Sequence, residues 1–336
     1  MRPTLRGGEV TGAILPAVTL VLREADVERV IQMDPVIAAV ESAMRELGSG
    51  IAQNEPRRRA FAPGGMLNVM FASFPGGGCT GLKAYTVAAG RVRFLVVQFG
   101  LDGSLQALIE ADTMGAYRTG AASAVAVRAL RPHKAATVAL IGAGRQAVTQ
   151  ALAISRVLEI KELRVFARDP ARRAAFSDEQ GKRLGIRITA ASSAEAAVRG
   201  ADVVVTMTTS SVPVIEASWI ASHALVVAAG SNFPNRTEVP ADLVTLAQSV
   251  VVDQREAAQL ESGDLIQAVA EGKFDWERAT DLGSVLSGTW KKPEEPGITL
   301  FESHGLALWD LAAATVVVAA ARERGLGEEV ELFSPL

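Results

Sequence analysis

The sequence predicts an α/β fold, with a doubly wound parallel sheet in the second half of the chain and a smaller α+β unit in the first. Beyond Pro132, short apolar runs alternate with helix-length segments, as in a parallel sheet covered on both faces. A Gly-x-Gly-x-x-Ala turn follows the first of these runs. Before Asp112 a helix is followed by short strand-like runs, the last pair of which reads as a hairpin.

Taken in order, residues 1–17 carry Arg2 and Arg6 without an apolar core, so they read as an N-terminal extension and not a signal peptide. The first helix is expected over Asp34–Gly48, with Asp34 as N-cap, Pro35 in the first turn and apolar residues at Val36, Ile37, Val40, Met44 and Leu47. Strands follow at 67–73 and 82–87. A hairpin then runs FLVVQF to LQALIEA around Leu101–Ser104. The Ala-rich stretch from Asp112 to Leu130 reads as a connecting helix.

Residues 18–110 thus read as a helix packed on a mainly antiparallel sheet; with the connecting helix they make up a first domain over 18–130, and 131–303 is the parallel-sheet domain. Its strands are TVALIG, LRVFA, RITA, DVVVTM, ALVVAAG and SVVVD. A final Ala- and Val-rich helix, His304 to Arg324, returns with the segment 304–336 to the first unit.

Composition narrows the function. A chain of 336 residues suits two domains, and 49% hydrophobic with 21% charged residues leaves little room for disorder. The formal charge of −3 gives no basic face for nucleic acid. No run approaches the ~18 apolar residues of a membrane span. Leu311–Ala321 reads as a buried helix following Asp310. The lone Cys79 excludes an internal disulfide and a cysteine-cluster metal site, so no metal is expected and a reducing cytoplasm fits.

The glycine turn carries the first chemistry. In VALIGAGRQAVTQA, Gly142 permits the tight turn and Gly144 lets the backbone approach a pyrophosphate. Ala147 lets helix and strand pack closely. From Gln146 onward the chain reads as a helix whose N-terminus, with Arg145 and Gln146, offers free N–H groups to a phosphate. A strand–turn–helix placement in the first βαβ unit marks a Rossmann-type dinucleotide platform. At the end of the second strand, LRVFARDP, Ala167 and Arg168 stand where an NAD site carries an acid. Arg168 can pair with a 2′-phosphate, which favours NADPH, while Asp169 one residue on keeps NADH open.

The segments GLKAYT, DTMGAYRTGAASA, LIGAGRQA, AAGSNFPNRTE, ESGDLI and FESHGLALWD occur in that order. Together they resemble the ornithine cyclodeaminase/mu-crystallin family over residues 18–325. The resemblance implies a nicotinamide-dependent enzyme of imino or amino acids, a homodimer assembled through the first domain. It implies that the substrate carboxylate is held by Arg58 (flanked by Arg57 and Arg59), Lys83 and Arg118. Cofactor contacts are implied at Arg118, Thr119, Thr208, the run from Val226 to Ala229, Arg236 and Ser303, and a substrate contact at His304.

Lys83 is set among apolar strand residues, where a purposeless buried charge would be costly. His304 suits either a proton donor or a neutral histidine at a helix start.

Asn232 departs from the family's cyclodeaminases, which place an aspartate there as acid and base. Asparagine has no titratable proton and can only orient groups, so it weakens a lyase and is tolerable in an imine reductase. The leading expectation is therefore an NAD(P)H-dependent reductase of 2-imino acids, or reductive amination of a 2-oxo acid. An ornithine cyclodeaminase and a non-catalytic nucleotide-dependent binding protein are the alternatives.

Overall fold

The computed structural model describes residues 18–131 and 135–332. The extension expected over residues 1–17, the change of rhythm at Pro132 and the last four residues lie outside the described residues.

The chain opens with β1 (Val18–Leu22), α1 (Glu24–Val30) and α2 (Met33–Gly48). A meander follows: β2 (Gln53–Ala62), β3 (Gly65–Phe74), β4 (Cys79–Ala88), β5 (Arg91–Gly100) and β6 (Leu105–Glu110). Each strand of the meander pairs antiparallel with the next, and β1 adds in parallel beside β6.

One local expectation changes here. Helix α2 starts at Met33 with Gln32 at its cap, so Asp34 is not the N-cap; it sits in the first turn, where an acid meets the positive helix end. The arginine run 57–59, to which no element is assigned from sequence, lies in the edge strand β2. A bulge between Glu55 and Arg58 accommodates the proline. At Gly48, the last residue of α2, there is no room for a side chain: a Cβ would collide with the carbonyl oxygen of Gly283.

Helix α3 (Asp112–Leu130) leads to β7 (Ala135–Ile141) and α4 (Arg145–Val157). The two helices cross almost backbone to backbone, since a Cβ on Gly120 would lie 2.5 Å from the carbonyl oxygen of Thr149. The second unit continues through β8 (Glu159–Phe166), α5 (Pro170–Leu184), β9 (Ile188–Ala190), α6 (Ala194–Val198), β10 (Val203–Thr206) and β11 (Leu225–Ala228). Then come α7 (Ala241–Leu246), β12 (Ser249–Val252), α8 (Arg255–Glu261), α9 (Gly263–Ala270), β13 (Ala279–Asp281), α10 (Leu282–Ser287) and β14 (Thr299–Glu302).

All eight strands are parallel, in the order β13-β12-β14-β11-β10-β7-β8-β9. The chain runs outward from β7 to β9 and then returns to β10 on the other side of β7. That reversal opens a crevice at the strand C-termini, where ligands of such sheets bind.

The last helix, α11 (Ala307–Glu323), starts three residues later than the His304 expected from sequence. The backbone amides of His304 and Gly305 are tied instead to Asp253, at 2.7 and 2.8 Å. The segment also does not stay helical: β15 (Glu328–Glu331) pairs antiparallel with β1. Helix α11 lies against the inner face of the first sheet with Trp309 and Asp310 fully buried. Among the described residues, no helix is long and apolar enough to cross a membrane.

Candidate active site

Two cavities meet at the C-terminal edge of the parallel sheet. A groove of about 830 Å³ runs along the ends of β7, β8 and β10. A cavity of about 400 Å³ lies between the two units and shares Gln146, Met207 and Gly230 with the groove.

The groove is shaped by backbone proximity. Gly142 has φ 120°, and a Cβ on it would collide with the carbonyl oxygen of Met207. Gly144 caps α4 without a side chain, and a Cβ there would meet nothing within 4 Å, so the helix end faces open space. Gly230 lies so close to β10 that a Cβ would run into the Thr208 nitrogen. Beneath this floor, buried Glu238 accepts hydrogen bonds from the amides of Thr208 (2.6 Å) and Gly230 (2.8 Å) and from the Thr206 hydroxyl (3.1 Å). Burial pushes its carboxyl up to about 7 against the pull of those bonds.

Arg168 and Arg172 line the far end of the groove. Asp169 is committed as the cap of α5, accepting from Ala171 N at 2.9 Å and Arg172 N at 3.2 Å. The free helix end, the glycine cradle and the basic far end together fit a dinucleotide. Gly142 to Gln146 would hold its pyrophosphate, and Met207, Thr208, Ala229 and Gly230 its inner end.

Not every residue expected to hold cofactor faces the groove. Val226 lies within β11, fully buried in the sheet core, because the ligand-facing part of that run is its end, Ala229–Gly230. The Arg145 guanidinium is paired with the carboxylate of Asp112, which leaves its backbone to serve the helix end. Thr208 lines the groove. Arg118, Thr119, Gln146, Ala229, Arg236 and Ser303 line the interdomain cavity, and Gln146 Oε1 is buried there without a hydrogen-bond partner.

In the interdomain cavity, Lys83 projects from the inner face of β4 and is 2% exposed. Its Nζ lies 2.8 Å from Asp310 Oδ1 and 4.9 Å from the centre of the Phe94 ring. Arg118 Nε shares the same Asp310 oxygen at 3.2 Å. Burial lowers the Lys83 pKa to about 8; Asp310 opposes that shift and Arg118 adds to it. The other Asp310 oxygen is buried without a partner.

On β2 it is Arg57, and not Arg58, that reaches the cavity. Strand alternation turns Arg58 outward opposite Val69, whereas Arg57 is 4% exposed and lines the cavity. Arg57 meets Glu261 Oε2 at 2.5 Å and Arg59 meets Glu261 Oε1 at 2.9 Å. Arg59 also donates to the Asn232 carbonyl at 2.7 Å. Asn232 itself lines the same cavity as Lys83, from the second unit.

His304 is buried between Asp253 (Nδ1, 3.5 Å) and Glu302 (Nε2, 3.6 Å), with Arg57 donating to its carbonyl at 3.1 Å. Burial alone would lower its pKa, but the two carboxylates win and raise it to about 10. The two flanking carboxylates thus favour the protonated imidazole over the neutral histidine at a helix start.

Sequence reasoning missed Asp310 and Glu261. Asp310 had a legible signal, an acid flanked by apolar residues in the first turns of a helix, which demands a cationic partner. The apolar lining from β3, β4 and β5 had none, because it depends on strand register.

A family model described as "Ornithine cyclodeaminase/mu-crystallin family" matches residues 17–325. A Delta(1)-pyrroline-2-carboxylate reductase from Bacillus cereus is 35% identical over 68% of this chain and 71% of its own length. Among solved structures, the Thermococcus litoralis Delta(1)-pyrroline-2-carboxylate reductase in complex with NADH and L-proline is 31% identical. It superposes with a TM-score of 0.87 over 93% of this chain and 100% of its own. An archaeal alanine dehydrogenase dimer with bound NAD is also 31% identical, with a TM-score of 0.87 over 94% of this chain and 100% of its own.

The charged state of His304 is testable through stability. The folded protein holds this proton more tightly than the unfolded chain, so the stabilisation is complete below pH 6.5 and fades as pH rises to about 10. In urea unfolding between pH 6 and 10, the stability advantage of the wild type over His304→Gln should shrink steadily. An advantage that stays flat over that range would mean a neutral histidine.

Proposed function

This chain belongs to the ornithine cyclodeaminase/mu-crystallin family, and on that premise we propose that it is an NADPH-dependent reductase of 2-imino acids. Cyclic ketimines such as pyrroline-2-carboxylate are the model substrates. The observation that carries this reading is the pair Lys83 and Arg118, two cations sharing one buried carboxylate beside the dinucleotide groove.

One positive charge of that pair is left over, and a substrate carboxylate supplies its partner. Arg57, held by Glu261, takes the carboxylate-binding place expected of Arg58. A bound nicotinamide supplies the hydride that reduces the C=N carbon. Lys83, protonated below about pH 8, donates a hydrogen bond or proton to the substrate beside it. Asn232 orients the substrate and transfers no proton, which disfavours a lyase. Arg236 and Ser303 close the cavity on the second-unit side.

Preference for NADPH rests on Arg168 at the end of β8 and on the commitment of Asp169 to the α5 cap. NADH remains the alternative ligand of the same groove. The outer face of the first sheet supports a homodimer. There Phe71–Leu82–Val97–Leu108 and Val69–Ala84–Leu95 form apolar rows across adjacent strands, with Phe71 51% and Leu95 40% exposed.

Lys83→Ala should keep NADPH affinity and the fold while lowering kcat on the best imine by ~10²-fold or more. It should also lose the fall in rate that the wild type shows as pH rises through about 8. Near-normal turnover by this variant would sink the mechanism. In calorimetry NADPH should bind more tightly than NADH, and Arg168→Ala should weaken NADPH alone by ~1.5–3 kcal/mol; tighter NADH binding refutes the preference. Light scattering should give about twice the chain mass of 35.3 kDa, with Phe71→Glu shifting the protein to monomer. A monomeric wild type would remove the dimer proposal.

A further inference from the structure

The register of the first sheet builds a wall beyond Lys83 that the reduction itself does not use. At the level of the ammonium, the inner face carries Met70, Lys83 and Val96 in one cross-strand row. Two residues along each strand, the row is Asn68, Tyr85 and Phe94, with the Tyr85 and Phe94 rings 5.1 Å apart. Two further on, it is Met66, Val87 and Val92, continued on the edge strand by Phe61, which is 77% exposed at the rim.

Met66, Met70, Tyr85, Val87, Val92 and Phe94 all line the interdomain cavity, so the wall runs from the ammonium to solvent. Its charge is as informative as its shape. The only acid lining the cavity among the described residues is Asp112, and its carboxylate is taken by Arg145. No carboxylate is therefore free to receive a distal ammonium or guanidinium. Arg236, the cation best placed for a distal anion, is held on the opposite wall over the Phe233 ring, 5.1 Å from its centre.

Building on the imine-reductase reading, we infer that the substrate's 2-substituent or ring lies along the Tyr85–Phe94 and Met66–Val87–Val92 rows, and that the enzyme selects imino acids with apolar, uncharged side chains. With the carboxylate on Lys83, Arg118 and Arg57 and the reacting carbon toward Met207 and Gly230, this wall is what the remaining substituent meets. An apolar group gains by leaving water there, whereas a charged one loses its hydration against a wall that carries no opposite charge, Arg236 lying on the other side of the cavity.

Three linear imines, formed from methylamine with 4-methyl-2-oxopentanoate, 2-oxoglutarate or 5-guanidino-2-oxopentanoate, separate the cases. The apolar substrate should exceed both charged ones by ~10²-fold or more in kcat/KM, in line with discrimination by unpaired buried polar groups. Binding of the unreactive 4-methylpentanoate, glutarate and 5-guanidinopentanoate to the NADP-loaded protein, read by calorimetry, should follow the same order. Val87→Glu should move the guanidino:apolar ratio at least ~10-fold toward the guanidino compound in both assays.

Equal or better binding or turnover of the dicarboxylate, particularly if Arg236→Ala abolishes it, overturns the inference. So does a Val87→Glu ratio that does not move. If none of the imines is reduced but the binding order and its reversal hold, the reductase reading fails and the apolar selection stands.

Discussion

The carboxylate of Asp310 is the constraint around which the site is arranged. It is wholly buried among the Ala, Val, Leu and Trp residues of the first turns of α11, and burying such a charge is costly unless cations accompany it. Lys83 and Arg118 do so from β4 and α3, so one acid fixes the relative positions of three elements. Because two cations share one oxygen, the pair is not neutral, and the surplus charge faces the cavity. An anionic ligand completes the arrangement, which lets the site be stable when empty and still attractive to substrate.

The same ratio recurs nearby. Glu261 is shared by Arg57 and Arg59, and it ties the edge strand of the first unit to α8 of the second. His304 inverts the pattern, one cation between Asp253 and Glu302, and the amides of His304 and Gly305 hang from Asp253. These networks cross the boundary between the units, so the cavity walls are held by charge pairs and not by loop contacts alone. In a dry setting such pairs resist substitution of one partner more than they add to stability, since the orphaned charge is what costs.

The second unit solves a different problem, bringing strand ends close enough to leave a flat groove. Glycines at 142 and 230 remove the side chains that would collide with Met207 and Thr208. Glu238 then collects the polar groups of both strand ends beneath the floor. The positive end of α4 stays uncapped and open toward the groove.

Periodicity and glycine spacing were enough to determine the parallel-sheet unit, the last hairpin of the first unit, the dinucleotide turn and, through the motif order, the family. These are local properties: a strand's alternation, a helix's 3.6-residue repeat and a turn's need for glycine are written in adjacent residues. Lys83 was legible for the same reason, as a charge in an apolar strand. Short elements such as β1, β13 and β15 were not, because they are specified by their partners. The choice of Arg57 over Arg58 was decided by a bulge, Val226 by its place inside a strand, and the charge of His304 by carboxylates brought from β14 and the end of β12. Register and tertiary burial set those outcomes, and both arise only when strands and helices separated in sequence pack together.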